Sequence, residues 1–193
     1  MKNDTKDTLR KNMLNKRKIM KVNDVSTFSN KIINTIMGLP EFISCKNIML
    51  YLSFNNEVDT TPLVTWCLNN GKTVIVPYCV QQEKKIMPFK INNLTTDLNK
   101  STFGIMEPKH DLLEESNIND IDLIIVPGVV FDNNCNRIGF GAGYYDRFLP
   151  RKSKNALTIG IAYDYQIIDE IPTDVYDVPL NCVITENRII YPK

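Results

Sequence analysis

The sequence is poor in the residues that histidine or thiol chemistry would need. It has one histidine, His110, in a polar and acidic stretch that predicts a solvated loop. The five cysteines are widely spaced and form no C-x-x-C pair, which argues against a disulfide framework and against a cysteine zinc site. A catalytic triad and a polyhistidine metal site are therefore not expected.

Long apolar runs and a charge excess are also missing. No apolar run approaches the roughly 18 residues that span a bilayer, and residues 1–20 lack the apolar core of a signal peptide. The formal net charge is +1, which gives no global argument for a nucleic acid or an acidic membrane as partner. We therefore expect a cytoplasmic protein with neither partner, although the basic stretch at 6–21 leaves weak RNA binding open.

The order of the predicted elements indicates an α/β fold. A basic, helical segment spans about residues 5–37, and Pro40 closes it. The strand–helix–strand order over 47–80 predicts parallel strands joined by a right-handed crossover. We expect one domain over 1–193, a three-layer α/β/α sandwich with a mostly parallel sheet. Helices are predicted at 60–71 and 144–148, strands at 47–54, 72–80, 85–91, 122–132 and 156–163, and a hairpin at 181–192. Residues 92–120 are expected to be mostly loop, with a short helix at 111–117 left open.

Local signals refine these elements. Thr60 or Thr61 is expected to cap the helix that Gly71 ends. Pro88 places its strand near a sheet edge, and the strand at 122–132 is expected to leave the core through Pro127-Gly128. The closing hairpin is expected to turn at Glu186-Asn187.

A glycine-rich segment follows one of these strands and precedes a short helix. It reads RIGFGAGYYDR from residue 137 to 147. Glycines and a helix start expose backbone N–H groups to an anion such as a phosphate. Arg137 and Arg147 add donors, and Asp146 is a hard oxygen ligand suited to Mg²⁺. The motif is neither a Walker A loop nor a Rossmann fingerprint, and taken alone it leaves open a purely structural turn.

The longer stretch PGVVFDNNCNRIGFGAGYYDRFL resembles the signature of the 5-formyltetrahydrofolate cyclo-ligases, also called methenyltetrahydrofolate synthetases. The resemblance extends to KDTLRKNM, YLSFNNEVDT, GIMEP and DVPLNCVITE. It implies a fold related to the sugar-phosphate isomerase and CoA-transferase group. Two positions depart from the family pattern: Cys135 stands where glycine is usual, and Ala142 where glycine or lysine is frequent.

The resemblance also implies a reaction. ATP and Mg²⁺ would be required, and 5-formyltetrahydrofolate, with or without a polyglutamate tail, would be the substrate. The formyl oxygen would be phosphorylated, N10 would attack the formyl carbon, and 5,10-methenyltetrahydrofolate, ADP and phosphate would result. The enzyme would act as a monomer.

Roles for particular residues follow from the same resemblance. Arg137, Tyr144 and Asp146 would be catalytic. Asp146 and Asp177 would hold the metal, with Asp174 close enough to be confused with Asp177. ATP would contact Lys6, Asp7, Thr8, Leu9, Arg10, Arg137, Ile138, Gly139, Phe140, Gly141, Ala142, Gly143, Tyr144 and Tyr145. The folate would contact Leu52, Glu57, Phe140, Gly141, Ala142, Gly143 and Tyr144.

Without the resemblance these residues have ordinary interpretations. Lys6 and Arg10 would belong to a solvated basic helix, Leu52 to the core, and Glu57 to a surface loop. Two other functions stay open at this point. One is a non-catalytic folate- or RNA-binding relative, and the other is a sugar-phosphate isomerase, which would need no ATP.

Overall fold

The structure, a computed structural model, describes residues 5–101 and 104–193 and is organised around a seven-stranded sheet. The strands in chain order are β1 (Asn47–Met49), β2 (Thr73–Val80), β3 (Lys85–Ile91), β4 (Leu98–Lys100), β5 (Met106–Pro108), β6 (Leu123–Val126), β7 (Val130–Asp132), β8 (Arg137–Ile138), β9 (Leu157–Ile161), β10 (Ile167–Ile168), β11 (Cys182–Ile184) and β12 (Ile189–Ile190). The large sheet has the order β12-β11-β9-β6-β1-β2-β3. Its inner pairings are parallel, and only the edge strands β12 and β3 pair antiparallel.

Helices cover one face of this sheet more fully than the other. In chain order they are α1 (Lys6–Lys18), α2 (Val22–Met37), α3 (Pro40–Ser44), α4 (Thr61–Asn69) and α5 (Tyr144–Phe148). Side chains of α2, α3 and α4 share one apolar cluster, and α5 joins a second cluster with the small sheet β10-β7-β8. None of the helices formed by residues 5–101 and 104–193 is long and apolar enough to cross a membrane.

The core strands send alternate residues to the two faces. Ile48 joins the cluster under α2 and its neighbour Met49 joins the cluster under α5. In β6, Ile125 and Ile124 divide in the same way, and all four side chains are fully buried. A strand that is apolar on both sides is typical of a sheet covered on both faces. The predicted α/β fold with a mostly parallel sheet is therefore confirmed.

The N-terminal segment is two helices rather than one continuous region. α1 ends at Lys18 and α2 begins at Val22, with no glycine or proline between them to signal the break. The break separates two packing partners: α1 contacts β7, whereas α2 contacts α3, α4 and β11. Pro40 does not close the segment; it begins α3, at a helix position where a backbone N–H is not needed.

The predicted strand at 47–54 is too long, because β1 ends at Met49. Beyond Leu50 the backbone bonds within its own loop instead of along the sheet. The Phe54 N–H donates to the carboxylate of Glu57, and the Thr60 hydroxyl donates to the carbonyl of Tyr51. The apolar run therefore continues past the sheet into a loop at the carboxyl end of β1.

The short helix left open at 111–117 does not form. The chain there runs along the edge strand β3, where Lys90 donates to the carbonyl of Glu114 and Ser116 donates to the carbonyl of Pro88. The free backbone groups of an edge strand attract such pairing. His110 lies in a turn as predicted, but it is not simply solvated, since its ring stacks on Tyr78 with 4.0 Å between centroids.

Several local predictions are confirmed. α4 starts after Thr60, although Asp59 supplies the capping oxygen, which accepts from the Thr61 N–H. β3 is an edge strand, and β11 and β12 form the closing hairpin. The chain leaves the sheet between β6 and β7 at Gly128, where a Cβ atom would lie 2.4 Å from the ring of Phe131. The five cysteines are free.

Candidate active site

The glycine-rich segment forms the loop between β8 and α5. Gly141 and Gly143 have φ angles of +104° and +67°, a backbone conformation that glycine adopts without steric cost. Gly143 is the N-cap residue of α5, which begins at Tyr144. Because α5 has only five residues, its dipole is small, and the attraction for an anion at this loop must come from backbone N–H groups and neighbouring cations.

Helix α1 supplies cations to this loop. Arg10 donates through Nε to the carbonyl of Gly139 at 2.7 Å and also pairs with Asp7. Lys6 donates through Nζ to the carboxylates of Asp174 and Asp177, each at 2.5 Å. Burial lowers the pKa of Lys6, but these two carboxylates outweigh it, so that its pKa lies above the usual value. Lys6 and Arg10 are therefore paired with other parts of the chain and are not free surface cations.

A surface cleft of about 690 Å³ brings the predicted metal ligands together. Asp146 and Asp177 both line it, although they come from α5 and from a loop 31 positions later (177 − 146). Asp177 is 18% exposed and Asp174 is 71% exposed, so Asp177 is the better held of the two. The cleft is lined by Gly143, Asp146, Arg147, Thr173, Asp174, Val175, Tyr176 and Asp177.

The donor set of this cleft fits Mg²⁺ held jointly with a nucleotide. Within the described part of the chain no three His, Cys, Asp or Glu residues are grouped so as to hold a metal by themselves. Mg²⁺ usually takes one or two carboxylates and completes its coordination with phosphate oxygens and water. Two carboxylates beside the glycine-rich loop match that requirement.

Arg137 forms a buried ion pair with Asp146. Its side chain is 3% exposed, with Nη2 donating to Asp146 at 2.5 Å and Nη1 donating to the carbonyl of Val178 at 2.8 Å. Burial lowers the pKa of Arg137, and the carboxylate of Asp146 opposes that effect. In this arrangement the guanidinium fixes a cleft carboxylate, whereas the sequence predicts direct contact with ATP.

Glu57 is a buried carboxylate, not a surface loop charge. Its side chain is 10% exposed, and it lies 3.7 Å from Nη1 of Arg17 and 2.9 Å from the N–H of Phe54. Burial raises the pKa of Glu57 to about 6, against the opposing influence of Arg17 and the Phe54 N–H. Leu52, in the same loop, is partly buried and packs on the core.

Arg17 is the residue that sequence reasoning missed. It is buried, it pairs with Glu57, and its guanidinium carbon lies 5.2 Å from the ring centroid of Phe140 in the glycine-rich segment. It thereby connects the Glu57 loop with the glycine-rich loop. The only available signal was helical spacing, since Arg10, Met13 and Arg17 share one face of α1.

Of the remaining predicted site residues, some are buried and others are exposed to solvent. Ile138 is buried in the apolar cluster under α1, so that only its backbone faces the loop. Leu9 packs against the same cluster, whereas Asp7 and Thr8 are exposed. Ala142 is exposed, and its carbonyl accepts a hydrogen bond from Arg147.

The two adjacent tyrosines face different surroundings. Burial raises the pKa of Tyr144, with smaller influences from Cys79, Arg147 and Glu107. Burial also holds the pKa of Tyr145 well above its usual range, with smaller influences from Cys79, Glu57 and Arg137. The two tyrosines therefore share Cys79 and differ in their charged neighbours.

Comparison with known proteins identifies the family to which the chain is similar. A sequence model of the 5-formyltetrahydrofolate cyclo-ligase family matches residues 2–186. The 5-formyltetrahydrofolate cyclo-ligase of Haemophilus influenzae is 34% identical over 145 residues, covering 75% of this chain and 78% of that protein. The probable 5-formyltetrahydrofolate cyclo-ligase of Schizosaccharomyces pombe is 32% identical over 181 residues, covering 86% and 87%.

Solved structures give the same result. The 5,10-methenyltetrahydrofolate synthetase of Aquifex aeolicus superposes with a TM-score of 0.84 at 36% identity, over 96% of this chain and 92% of that one. The enzyme of the same name from Mycoplasma pneumoniae gives 0.76 at 27% identity, over 94% and 98%. The predicted resemblance is confirmed, and the chain belongs to the 5-formyltetrahydrofolate cyclo-ligase family.

Proposed function

We propose that this chain converts 5-formyltetrahydrofolate to 5,10-methenyltetrahydrofolate, with cleavage of ATP, between helix α1, the glycine-rich loop and the Glu57 loop. One observation carries the proposal: α1 is joined both to the glycine-rich loop, where Arg10 donates to the carbonyl of Gly139, and to the cleft, where Lys6 pairs with Asp177. The cations of α1, the carboxylates Asp146 and Asp177, and the buried Glu57 are all joined to this assembly.

The nucleotide side of the site is formed by the loop and α1. The glycine backbone at 139–143 can approach the ATP phosphates closely. Lys6 and Arg10 stand beside it as cations, and phosphoryl transfer depends mainly on such positioning and neutralisation of charge. Lys6 currently pairs with two carboxylates, so a bound triphosphate would share its ammonium group with them.

Asp146 and Asp177 would hold Mg²⁺ against the phosphates. When bound, the metal would neutralise charge that develops during transfer. The chain's own contribution is orientation, because Arg137 fixes Asp146, and the Asp174 N–H donates to Asp177 at 2.7 Å.

The folate side is formed by Glu57, Leu52 and Phe140. A carboxylate can accept hydrogen bonds from two N–H groups of the pterin at once. With a pKa of about 6, Glu57 is mostly ionised at neutral pH and can do so. Leu52, partly buried against the core, would offer apolar surface to the ring, and so would Phe140, whose ring lies 5.2 Å from the guanidinium carbon of Arg17.

The chemistry then needs no protein nucleophile. The formyl oxygen attacks the γ-phosphorus of ATP and ADP leaves, which turns a poor leaving group into a phosphate ester. N10 next attacks the formyl carbon and loses its proton as the carbon–oxygen bond breaks and phosphate departs. The side chains of the chain hold both reactants and balance charge throughout.

Product formation is expected to require both ATP and a divalent metal. With 5-formyltetrahydrofolate and ATP, the absorbance of the methenyl product should rise in Mg²⁺ and should not rise in excess chelator or without ATP. Restoring Mg²⁺ after chelation serves as the control for intact protein. Equal turnover in chelator would contradict the metal assignment, and turnover of a sugar phosphate without ATP would support an isomerase instead.

The pH dependence of stability should reveal Glu57. Its pKa is raised to about 6 from 4.5, so the folded state binds this proton more tightly than the unfolded state does. The contribution of Glu57 to the free energy of unfolding should therefore rise as pH falls from about 7 towards 4.5. The total rise is about 2 kcal/mol. Wild type should gain this amount relative to Glu57→Gln in urea unfolding over that range. A constant difference between the two proteins would show that Glu57 titrates normally.

The proposal takes the chain as a cytoplasmic monomer. One chain supplies every residue assigned to the site, and its free thiols accord with a reducing compartment. The near-neutral charge accords with a small-molecule substrate rather than a nucleic acid. Light scattering would test the monomer, and a mobility shift at physiological salt would test RNA binding.

A further inference from the structure

The first residue of helix α1 places a cation against the proposed metal site. That residue is Lys6, and its Nζ atom donates to one carboxylate oxygen of Asp174 and to one of Asp177, each at 2.5 Å. The same Asp177 oxygen also accepts from the Asp174 N–H at 2.7 Å. Two protein donors therefore engage the carboxylate oxygen that the metal would need.

The place of this lysine is unfavourable for the helix taken alone. The N-terminus of a helix attracts anions and disfavours cations, and Lys6 stands at the start of a helix of 13 residues. Its carboxylate partners in the cleft, and not the helix, account for a cation at that end. The side chain of Lys6 is also 24% exposed, so a phosphate bound in the cleft can reach its ammonium group.

The carboxylates that line the cleft are each balanced by a protein cation. Asp146 pairs with Arg137, and Asp174 and Asp177 share Lys6. A divalent cation that enters alone would have to take Asp177 from Lys6 and would then stand beside an ammonium group, which repels it. A metal–ATP complex is a net anion, and its phosphates can bind the ammonium while the metal takes the carboxylate.

We propose that Lys6 couples metal binding to nucleotide binding. In the free protein its ammonium group holds Asp177 and disfavours the metal, and the phosphates of ATP release Asp177 by drawing the ammonium towards themselves. The inference rests on the proposed function, because it takes Asp177 as a metal ligand. Its consequence is that the site accepts the metal–nucleotide complex and discriminates against the metal alone.

Removing the charge of Lys6 should change two affinities in opposite directions. Mn²⁺ is the probe, because it takes the same oxygen ligands as Mg²⁺ and its unbound form is counted by electron paramagnetic resonance. Without nucleotide, Lys6→Met should bind Mn²⁺ about 10-fold more tightly than wild type, because Asp177 is released and the repelling charge is gone. In calorimetric titrations with excess chelator, its affinity for ATP should fall by about 10-fold, because the phosphates lose a cation.

Three further variants locate the effect. Lys11→Met removes the same charge from an exposed position on α1 and should leave both affinities within about twofold of wild type. Lys6→Gln should reproduce both changes, so that a folding defect in one Lys6 variant does not decide the test. The double variant of Lys6→Met with Asp177→Asn should lose the gained Mn²⁺ affinity, because a neutral amide replaces the released carboxylate.

Unchanged Mn²⁺ affinity in both Lys6 variants would overturn the proposal. A gain that persists in the double variant would do the same, because the metal would then bind away from Asp177. A fall in both affinities would also overturn it and would leave Lys6 a merely structural role.

Failure of this inference is distinguishable from failure of the proposed function, because the titrations need no turnover. Conversion of 5-formyltetrahydrofolate by wild type, with unchanged Mn²⁺ affinity in the Lys6 variants, would remove only the coupling. A gain in Mn²⁺ affinity in those variants, without conversion by wild type, would support the coupling and remove the function.

Discussion

Glu57→Gln is expected to lower the affinity for 5-formyltetrahydrofolate by about 30- to 1,000-fold while leaving that for ATP within a few-fold. The amide keeps the shape of the side chain but presents one acceptor, and it turns an N–H towards a pterin donor. Loss of a charge-assisted pair of this kind costs on the order of 2–4 kcal/mol. The glycine backbone at 139–143, which would bind the phosphates, is untouched.

The same change should not weaken the free protein. The raised pKa of Glu57 means that its charged form is disfavoured in the fold, and Arg17 already contributes to that balance. Replacing the charge with a neutral amide should therefore raise the free energy of unfolding at pH 7.5 by about 2 kcal/mol. A residue whose removal stabilises the fold and weakens binding is one retained for binding.

Separate calorimetric titrations with folate and with ATP would measure both affinities. Glu170→Gln is a matched control, since Glu170 is exposed and the same charge is removed outside the site. Unchanged folate affinity in Glu57→Gln, or an equal loss of ATP affinity, would show that the Glu57 loop has been misassigned.

The glycine-rich segment could be predicted from sequence because its requirements are local. Gly141 and Gly143 adopt positive φ angles, which few other residues tolerate, and the five-residue helix after them follows as expected. Cys135 has a φ of +60°, a backbone conformation that favours glycine, and the structure forms the turn with cysteine there. Such features are set by a residue and its immediate neighbours.

The pairing of Arg17 with Glu57 could not be predicted in this way. Arg17 lies in a basic run where Lys16 and Lys18 are exposed, and only tertiary packing distinguishes it. Its partner Glu57 is 40 positions away (57 − 17), in a loop that polar sequence marks as surface. The break between α1 and α2 has the same origin, because the two helices pack on different parts of the fold.

The strand predicted at 47–54 is longer than β1 because apolar sequence does not show where sheet pairing ends. Leu50 and Tyr51 are buried, so the apolar run continues, yet the last backbone bond to the sheet is that of the Leu50 N–H to the carbonyl of Ile75. Apolar sequence reports burial and not hydrogen-bond partners. Here the burial belongs to the loop that carries Leu52 and Glu57 into the site.

Asp146→Asn is expected to lower kcat by about 10²- to 10³-fold, the usual effect of losing one group that stabilises transition-state charge. The Mg²⁺ concentration for half-maximal rate should rise, because a neutral amide is a weaker ligand for a hard cation. The amide oxygen can still accept from Nη2 of Arg137, so the fold should lose only about 1 kcal/mol. For a chain of this length that corresponds to a melting temperature lower by about 2–4 °C.

Two companion variants make the test specific to the metal. Asp177→Asn should reproduce the loss of rate and the higher Mg²⁺ requirement, because Asp177 lines the same cleft. Asp174→Asn, at the more exposed neighbour that also pairs with Lys6, should lower kcat by less than about tenfold, since a single exposed ion pair is worth little. Mg²⁺ titrations of the rate, together with melting curves, separate the three. A large loss of kcat in Asp174→Asn with little loss in Asp177→Asn would show that Asp174, and not Asp177, is the second metal ligand. If Asp146→Asn leaves the Mg²⁺ requirement unchanged, Asp146 is not a metal ligand and its role is the ion pair with Arg137.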